Sequence, residues 1–408
     1  MVRDFVLPGI AAIQEDMIGL RRRIHANPEL GLQEVATSEL VAECLSQWGY
    51  QVTRAVGKTG VVGTLKIGDG PSLGLRADMD ALPIHETTGL PYASRNEGVM
   101  HACGHDGHTA TLLAAAKYLA ETRAFSGTLN LIFQPAEEGL GGAQKMMEDG
   151  LFERFPCDAV FALHNVPGHP AGHLGFFSGA FMASADTVTV RVVGRGGHGA
   201  VPDKAIDPIV VCASFVTALQ SIVSRNVSPR DLAIISVGSI HAGVASNVIP
   251  SSAQMLLTVR ALAPDVRDLL ERRIHELVHG QAASFGAHAE IDYVRCHPVL
   301  INHRTETDFA RQVAADWLGP QSIIDDLEPF TASEDFACML EKCPGSYLVI
   351  GNGDGERSCA LHHSGYDFND DCLAVGATYW VKLTERFLAK PVRIEHQQFN
   401  NDIEEKHP

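Results

Sequence analysis

The sequence predicts an α/β fold: a larger domain built on a largely parallel central sheet, interrupted by a smaller inserted α+β domain. Three observations predict it. Short apolar runs of β type at 61–67, 73–77, 129–133 and 159–163 alternate with helical patterns, clearest at 109–119. Strands alternating with helices build crossover units around a parallel sheet. Near Asp186 the pattern changes to strands with one wet face, and 408 residues exceed what one core usually accommodates.

Each element follows in order. Residues 11–26 form an amphipathic helix with Ile13, Met17, Leu20 and Ile24 on one face. Pro28 and Gly31 break it, and 37–48 is helical again. The four β-type runs and the helix from Thr109 come next. TVTVRVV at 187–193 alternates as a strand, followed by a helix at 206–224, strands at 232–240 and 252–262, a helix at 265–285 and a strand at 287–295. Residues 186–297 therefore read as a domain inserted into a discontinuous one formed by 1–185 and 298–408. Mixed helix and strand signals resume to about residue 390, and the polar tail from His396 is expected to fray. No internal repeat or low-complexity tract occurs.

Charge and cysteine usage narrow the function classes. Lys and Arg number 32 against 49 Asp and Glu, a formal net charge of −17 with no basic run. Such a field repels polyanions, so no nucleic-acid partner is expected. The nine cysteines are scattered without a CxxC pair, which fits reduced thiols rather than a disulfide framework. The first residues, MVRDFVLPGIAAIQEDMIGLRRR, lack the pattern of a secretory signal, and no apolar run is expected to span a bilayer. A cytoplasmic protein without a membrane partner is expected.

The chemistry gathers at strand ends. LGLRA runs into Asp78 and Asp80, LNLIFQPA into Glu137 and Glu138, and AVFAL into His164. Sites in open α/β sheets form beyond the carboxyl ends of strands. MHACGHDGH, with Cys103 and His105, precedes the helix from Thr109, and LHHS carries His362 and His363. Taken singly, paired glutamates are a solvated surface and a histidine after a strand is a hydrogen-bonded core residue. Together, a thiol, imidazoles and carboxylates make a mixed donor set suited to Zn, Mn, Co or Ni.

RADMDALP, MHACGHDGHT, QPAEEGLGGA, ALHN, GRGGHGAVP, NVIP, VRA, SEDFA and LHHSGYDFND resemble, in order, the motifs of the hippurate hydrolase branch of the aminoacylase and carboxypeptidase metallopeptidase family. The resemblance spans residues from about 20 to 385. It implies a catalytic domain holding two divalent metal ions per subunit and an inserted lid or dimerisation domain, in a homodimer or homotetramer. It further implies that Cys103, His105, Glu138, His164 and His362 bind the metals, with Cys103 as bridge, and that Glu137 is the general base. From the inserted domain, His198 would stabilise the oxyanion, and Asn247 and Arg260 would hold a substrate carboxylate. Where many relatives carry His-x-Asp-x-x-Pro, this chain has Asp78-Met79-Asp80-Ala81-Leu82-Pro83. Asp78 is thus open as a ligand, Asp80 is expected to orient one, and His363 has no assigned role.

The implied reaction is metal-dependent hydrolysis of an N-acyl amino acid, a small molecule, to a carboxylic acid and a free amino acid. A dipeptidase or carboxypeptidase of the same family is the alternative. A metal-binding protein without catalysis is the alternative from another class, and the presence of Glu137 argues against it. Three other motifs read as structure. His275-Glu276-Leu277-Val278-His279 matches HExxH, but the helix around it is expected to bury Val266, Leu270, Ile274, Leu277 and Val278, turning both histidines to solvent. Gly70-Pro71-Ser72-Leu73-Gly74 matches GxSxG, but Ser72 precedes its strand. Gly57-Lys58-Thr59 lacks the first glycine of a phosphate loop, where Val52 stands, and a strand follows it.

Overall fold

The computed structural model describes residues 5–355 and 359–389; the tail expected to fray from His396 lies outside them. An eight-stranded sheet runs in the order Gln51–Val56, Gly60–Ile67, Gly127–Gln134, Ser72–Asp78, Ala159–Val166, Gly345–Gly351, Leu174–Gly175, Ile323–Ile324. Its central four strands, from Gly127–Gln134 to Gly345–Gly351, are mutually parallel. Such strands are covered on both faces, which is why they read as near-continuous apolar runs. One face carries Leu73, Leu75, Leu131 and Phe161 against the helices His105–Thr122 and Asp370–Phe387, with Pro8–His25 packed on those two helices. The other carries Ile132, Val160, Ala162 and Val349 against the short helices Gly142–Glu148 and Ala337–Leu340.

A second sheet, Ala233–Ala242, Ser252–Ala261, Ala185–Val193, His288–His297, is antiparallel throughout. Its inner face, with Val188, Val190, Val192, Met255 and Leu257, packs under the helices Pro208–Asn226 and Pro264–Ser284 as a separate apolar core. The chain passes between the two sheets at Ser184–Asp186 and again at Cys296–Pro298. The first crossing is locked by buried Asp186, which takes Arg267 and the hydroxyl of Tyr293 at 2.8 Å.

Two expectations need correction. The buried face of the first helix is Ile10, Met17, Ile18, Arg21 and Ile24, with Ile13 and Leu20 only partly covered. The rotation has a cause: Arg21 is drawn inward, its Nε 2.7 Å from Asp106, with Asp367 and Asp370 also around it. The helix Pro208–Asn226 is long and apolar enough to cross a bilayer by length and composition. Its apolar side, Val211, Phe215, Leu219 and Ile222, is spent on the second sheet.

The three decoys read as structure, with one difference in the first. In the helix Pro264–Ser284, Val266, Leu270, Ile274 and Val278 are buried and His279 is exposed, but Leu277 is only half-buried and His275 is half-buried against the Tyr293 ring. Glu276 is paired with Arg272 and Arg273 rather than aimed at a cleft. Ser72 opens its strand instead of ending one. A strand, Gly60–Ile67, follows Lys58.

Candidate active site

Because the central strands run in one direction, their carboxyl ends deliver side chains to one place. Asp78 ends the strand Ser72–Asp78, Glu137 and Glu138 follow Gly127–Gln134, and His164 lies near the end of Ala159–Val166. The turn carrying the two glutamates is pinned from below. Buried Glu34 accepts from the amide of Ala136 at 2.8 Å and from the hydroxyl of Thr59 at 2.6 Å. Ala136 itself has φ of 51°, a strained value for a residue with a Cβ.

Cys103 and His105 arrive on the loop that opens the helix His105–Thr122. Gly104 between them has φ of 92°, and a Cβ there would stand 2.4 Å from Asn165 Oδ1. Only glycine permits that turn and that approach. His362 reaches in from the far end of the chain with φ of 63°, its Nε2 3.2 Å from Glu138 Oε1.

Two imidazoles have one nitrogen held and the other turned into the cluster, as a metal ligand would need. His164 Nδ1 lies 2.7 Å from the carbonyl oxygen of Asn165, which leaves Nε2 facing Cys103 Sγ at 3.4 Å. His105 Nδ1 lies 3.1 Å from Asp80, and its Nε2 is buried with no hydrogen-bond partner. A buried imidazole fixed at one nitrogen and orphaned at the other is what a metal requires. Donor atoms of Cys103, His105 and His164 lie within 4.8 Å of one another, as do those of Cys103, Glu138 and His362, so Cys103 belongs to both groups. Two such groups sharing a thiol fit a pair of divalent metals.

Electrostatics sharpen the picture. Burial, then the carboxylates of Glu334, Glu138 and Asp335, push the Glu137 carboxyl well above the usual range. Burial opposes the charged form of His105, but Asp78 and the Cys103 sulfur outweigh it and raise its pKa. Burial raises the Cys103 thiol. The Cys103 and Glu138 hydrogen bonds push His362 up to about 10. Burial, then the neighbouring His108, hold the His164 imidazole well below its usual range, so it favours the neutral ring.

The cluster opens on a cleft of about 450 Å³ that Glu137, Glu138, His164, Arg260 and His362 line. Apolar walls come from Met182, Phe330, Val349 and Leu361. Arg260 faces it from the second sheet, bonded to Thr258 Oγ1 at 2.6 Å and without a carboxylate partner among the described residues. His198 and Asn247 do not line it. They sit together on the paired strands Gly197–His198 and Val248–Ile249 and their vicinity, both exposed. Asp78 is turned away from solvent toward Arg76 at 2.7 Å and His108 at 2.6 Å. His363 is exposed and takes the amide of Gly365 at 3.0 Å.

Sequence reasoning missed several residues. His108 engages Asp78 through Nδ1 and Asn165 through Nε2, each at 2.6 Å. Its place three residues after His105 in a helix, hence on the same face, was the available signal. Fully buried Arg76 holds Asp78, Gln134 and Glu334 together beneath the cluster. Glu334 and Asp335 bring further carboxylates beside Glu137. They lie in the SEDFA motif, but nothing local says that they are buried.

A mixed thiol, imidazole and carboxylate cluster at parallel strand ends, with a carboxyl of raised pKa beside it, defines a metal-dependent hydrolase. Residues 74–386 match the model of peptidase family M20/M25/M40, and the chain belongs to that family. It is 47% identical over 386 residues to a hippurate hydrolase of Campylobacter jejuni, covering 94% of this chain and 99% of that one. It is 38% identical over 381 residues to an N-acetyl-L-cysteine deacetylase of Bacillus subtilis, covering 93% and 90%. A dinuclear metal-binding M20 peptidase structure from Bacillus subtilis superposes with a TM-score of 0.81 at 34% identity, covering 93% and 99%. The chain is thus a hydrolase of amide bonds that depends on divalent metal.

Proposed function

We propose that the protein cleaves N-acyl amino acids of the hippurate type, releasing a carboxylic acid and a free amino acid. The observation that carries this reading is Arg260, without a carboxylate partner among the described residues, facing the metal-fitted cluster across an apolar-walled cleft. An acyl group can occupy the walls while a carboxylate pairs with the guanidinium in a bidentate way that lysine could not offer. The relatives named for acting on hippurate and N-acetyl-L-cysteine support it.

Two divalent ions, drawn from Mn, Zn, Co or Ni, would be held by Cys103, His105, Glu138, His164 and His362, with Cys103 shared. When bound, such ions lower the pKa of water and polarise a carbonyl oxygen. Glu137 takes the proton from the attacking water and returns it to the departing nitrogen, because an amine anion is a poor leaving group. Burial and the neighbouring carboxylates raise its pKa, the direction that favours handing a proton back to the leaving nitrogen. Asp80 fixes His105, and Arg76 with His108 fixes Asp78 beneath the cluster.

Residues 186–297 act as a lid and dimerisation domain on the catalytic domain formed by 1–185 and 298–408. Their separate apolar core and two crossings support that division. His198, exposed on this domain and absent from its own cleft, serves the oxyanion of a neighbouring subunit in a homodimer or homotetramer, with Asn247 beside it. Nine free cysteines support a reducing, cytoplasmic setting.

A substrate panel tests the reading. N-benzoyl, N-acetyl and indole-acetyl amino acids, and dipeptides with free amino ends, are assayed with each of the four metals. Preferential cleavage of N-acyl amino acids is expected; preferential cleavage of free dipeptides would replace this reading with a dipeptidase.

A further inference from the structure

Ala185, Arg260 and His297 lie across one rung of the second sheet. Val259 pairs with Asp186, and the amide of Ser184 bonds to the carbonyl of Ala261 at 2.8 Å, which puts Arg260 beside Ala185. On the other side His297 pairs with Ala185, after a bulge at Cys296 restores the register. Neighbours across an antiparallel rung share a face. That face also carries Thr187, and all four residues line the cleft. The opposite face, from Asp186 and Val188 onward, is turned to the helices.

The middle strand thus contributes only a methyl group between two long polar side chains. The result is a recess floored by Ala185, with a guanidinium on one side and an imidazole on the other. His297 is only 5% exposed, yet its Nδ1 is closed from solvent and has no hydrogen-bond partner. Leaving such a group unpaired is costly, and the residue that carries it lines the cleft, where a ligand met by the turned ring would complete it. Arg260, bonded only to Thr258 and the Val259 carbonyl, is likewise without an anionic partner among the described residues. A carboxylate has two acceptor oxygens and can take the guanidinium with one and an imidazole N–H with the other; a half-turn of the ring presents either nitrogen.

Resting on the proposed N-acyl amino acid reading, we propose that His297 and Arg260 form a two-armed clamp for the substrate carboxylate, floored by Ala185, with His297 setting selectivity for acids over amides. Burial first, with the Arg260 charge added and Glu334 partly opposing, holds the His297 imidazole below its usual pKa. It therefore donates as a neutral N–H, and the clamp carries one positive charge against one negative. The position also explains the bulge: it returns His297 to the cleft face at the point where the chain leaves the lid.

The experiment uses the metal-loaded enzyme with N-benzoylglycine and its primary amide, and N-benzylglycine and its primary amide as uncleavable probes for titration calorimetry. His297→Ala should lower the acid-over-amide ratio of kcat/KM about tenfold, the loss of one hydrogen bond to a charged group. The change should fall on KM for the acid, and His297→Asn, which keeps a donor, should recover part of it. Ala185→Leu, which fills the recess, should weaken the acid probe more than its amide. Circular dichroism melting confirms that each variant is folded, and Ala185→Leu carries the test if His297→Ala is not. Equal weakening of acid and amide forms, or unchanged discrimination in the variants, would overturn the clamp. If the wild type cleaves no N-acyl amino acid but discriminates the acid probe, and the variants lose that discrimination, the proposed function fails and the clamp stands.

Discussion

Asp80 stands 3.1 Å from His105 Nδ1 with one carboxylate oxygen and accepts from the backbone amide of Glu138 at 2.9 Å with the other. One buried side chain therefore ties the loop carrying Cys103 and His105 to the turn carrying Glu137 and Glu138. Asp80→Ala frees both at once. Metal affinity is expected to fall about 10- to 100-fold, the usual cost of losing a group that orients a ligand. Dialysis against a competing chelator followed by elemental analysis reads it; unchanged metal content would remove Asp80 from that role.

Adjacent glutamates should fail differently. Glu137→Gln is expected to retain metal while kcat falls about 100- to 10,000-fold, the range for loss of a general base. Glu138→Gln, beside His362, should release metal first. Equal metal loss in both variants would mean that the division of roles within the pair is wrong.

The residues around Arg21 make a stability test away from the cleft. Arg21→Met removes one of the two cations on buried Asp106 and leaves His25 alone beside it, and a loss of about 3–5 kcal/mol is expected in urea unfolding. His25, 2.9 Å from Asp106, adds a pH dependence. Burial lowers its pKa, but Asp106 and Glu86 outweigh that and raise it from 6.5 to about 9. A raised folded pKa stabilises fully below the unfolded value and is lost as pH climbs through the folded one. The gap in melting temperature between wild type and His25→Gln should therefore be widest below pH 6.5 and close as pH approaches and passes 9. A gap that widens over that interval would contradict the pairing.

These cases mark what the sequence makes legible. Apolar runs ending in Asp78, Glu137 and His164 exposed three of the four central strands and their shared end, because burial on both faces writes itself into composition; the fourth, Gly345–Gly351, was not picked out although it is buried throughout. The outer strand Gln51–Val56 escaped, since QVTRAV mixes polar and apolar residues as an exposed edge does. Arg21, Arg76 and Glu334 escaped for another reason. Burying an ion requires a partner, and the Arg76 and Glu334 pair is separated by 258 residues. Periodicity reports which face is apolar, not which charge a distant carboxylate will pull inside. His362 was legible only through the ordered motif set; its φ of 63° shows a backbone fitted to the site rather than to local preference.

Subunit completion has its own test. Glu137→Ala and His198→Ala should each be nearly inactive. Mixed under conditions that exchange subunits, they should regain activity, because one site then has an intact Glu137 and a partner's intact imidazole. If mass spectrometry shows exchange and no activity returns, His198 acts within its own chain or not at all.

The central claim is that divalent metal in the Cys103, His105, Glu138, His164 and His362 cluster drives amide hydrolysis. Its most direct measurement is N-benzoylglycine hydrolysis on one preparation before chelation, after it, and after restoring each metal, with metal content determined at every stage. Activity should vanish as metal leaves and return as about two ions per chain are bound. Full turnover in protein shown by elemental analysis to be metal-free would contradict it.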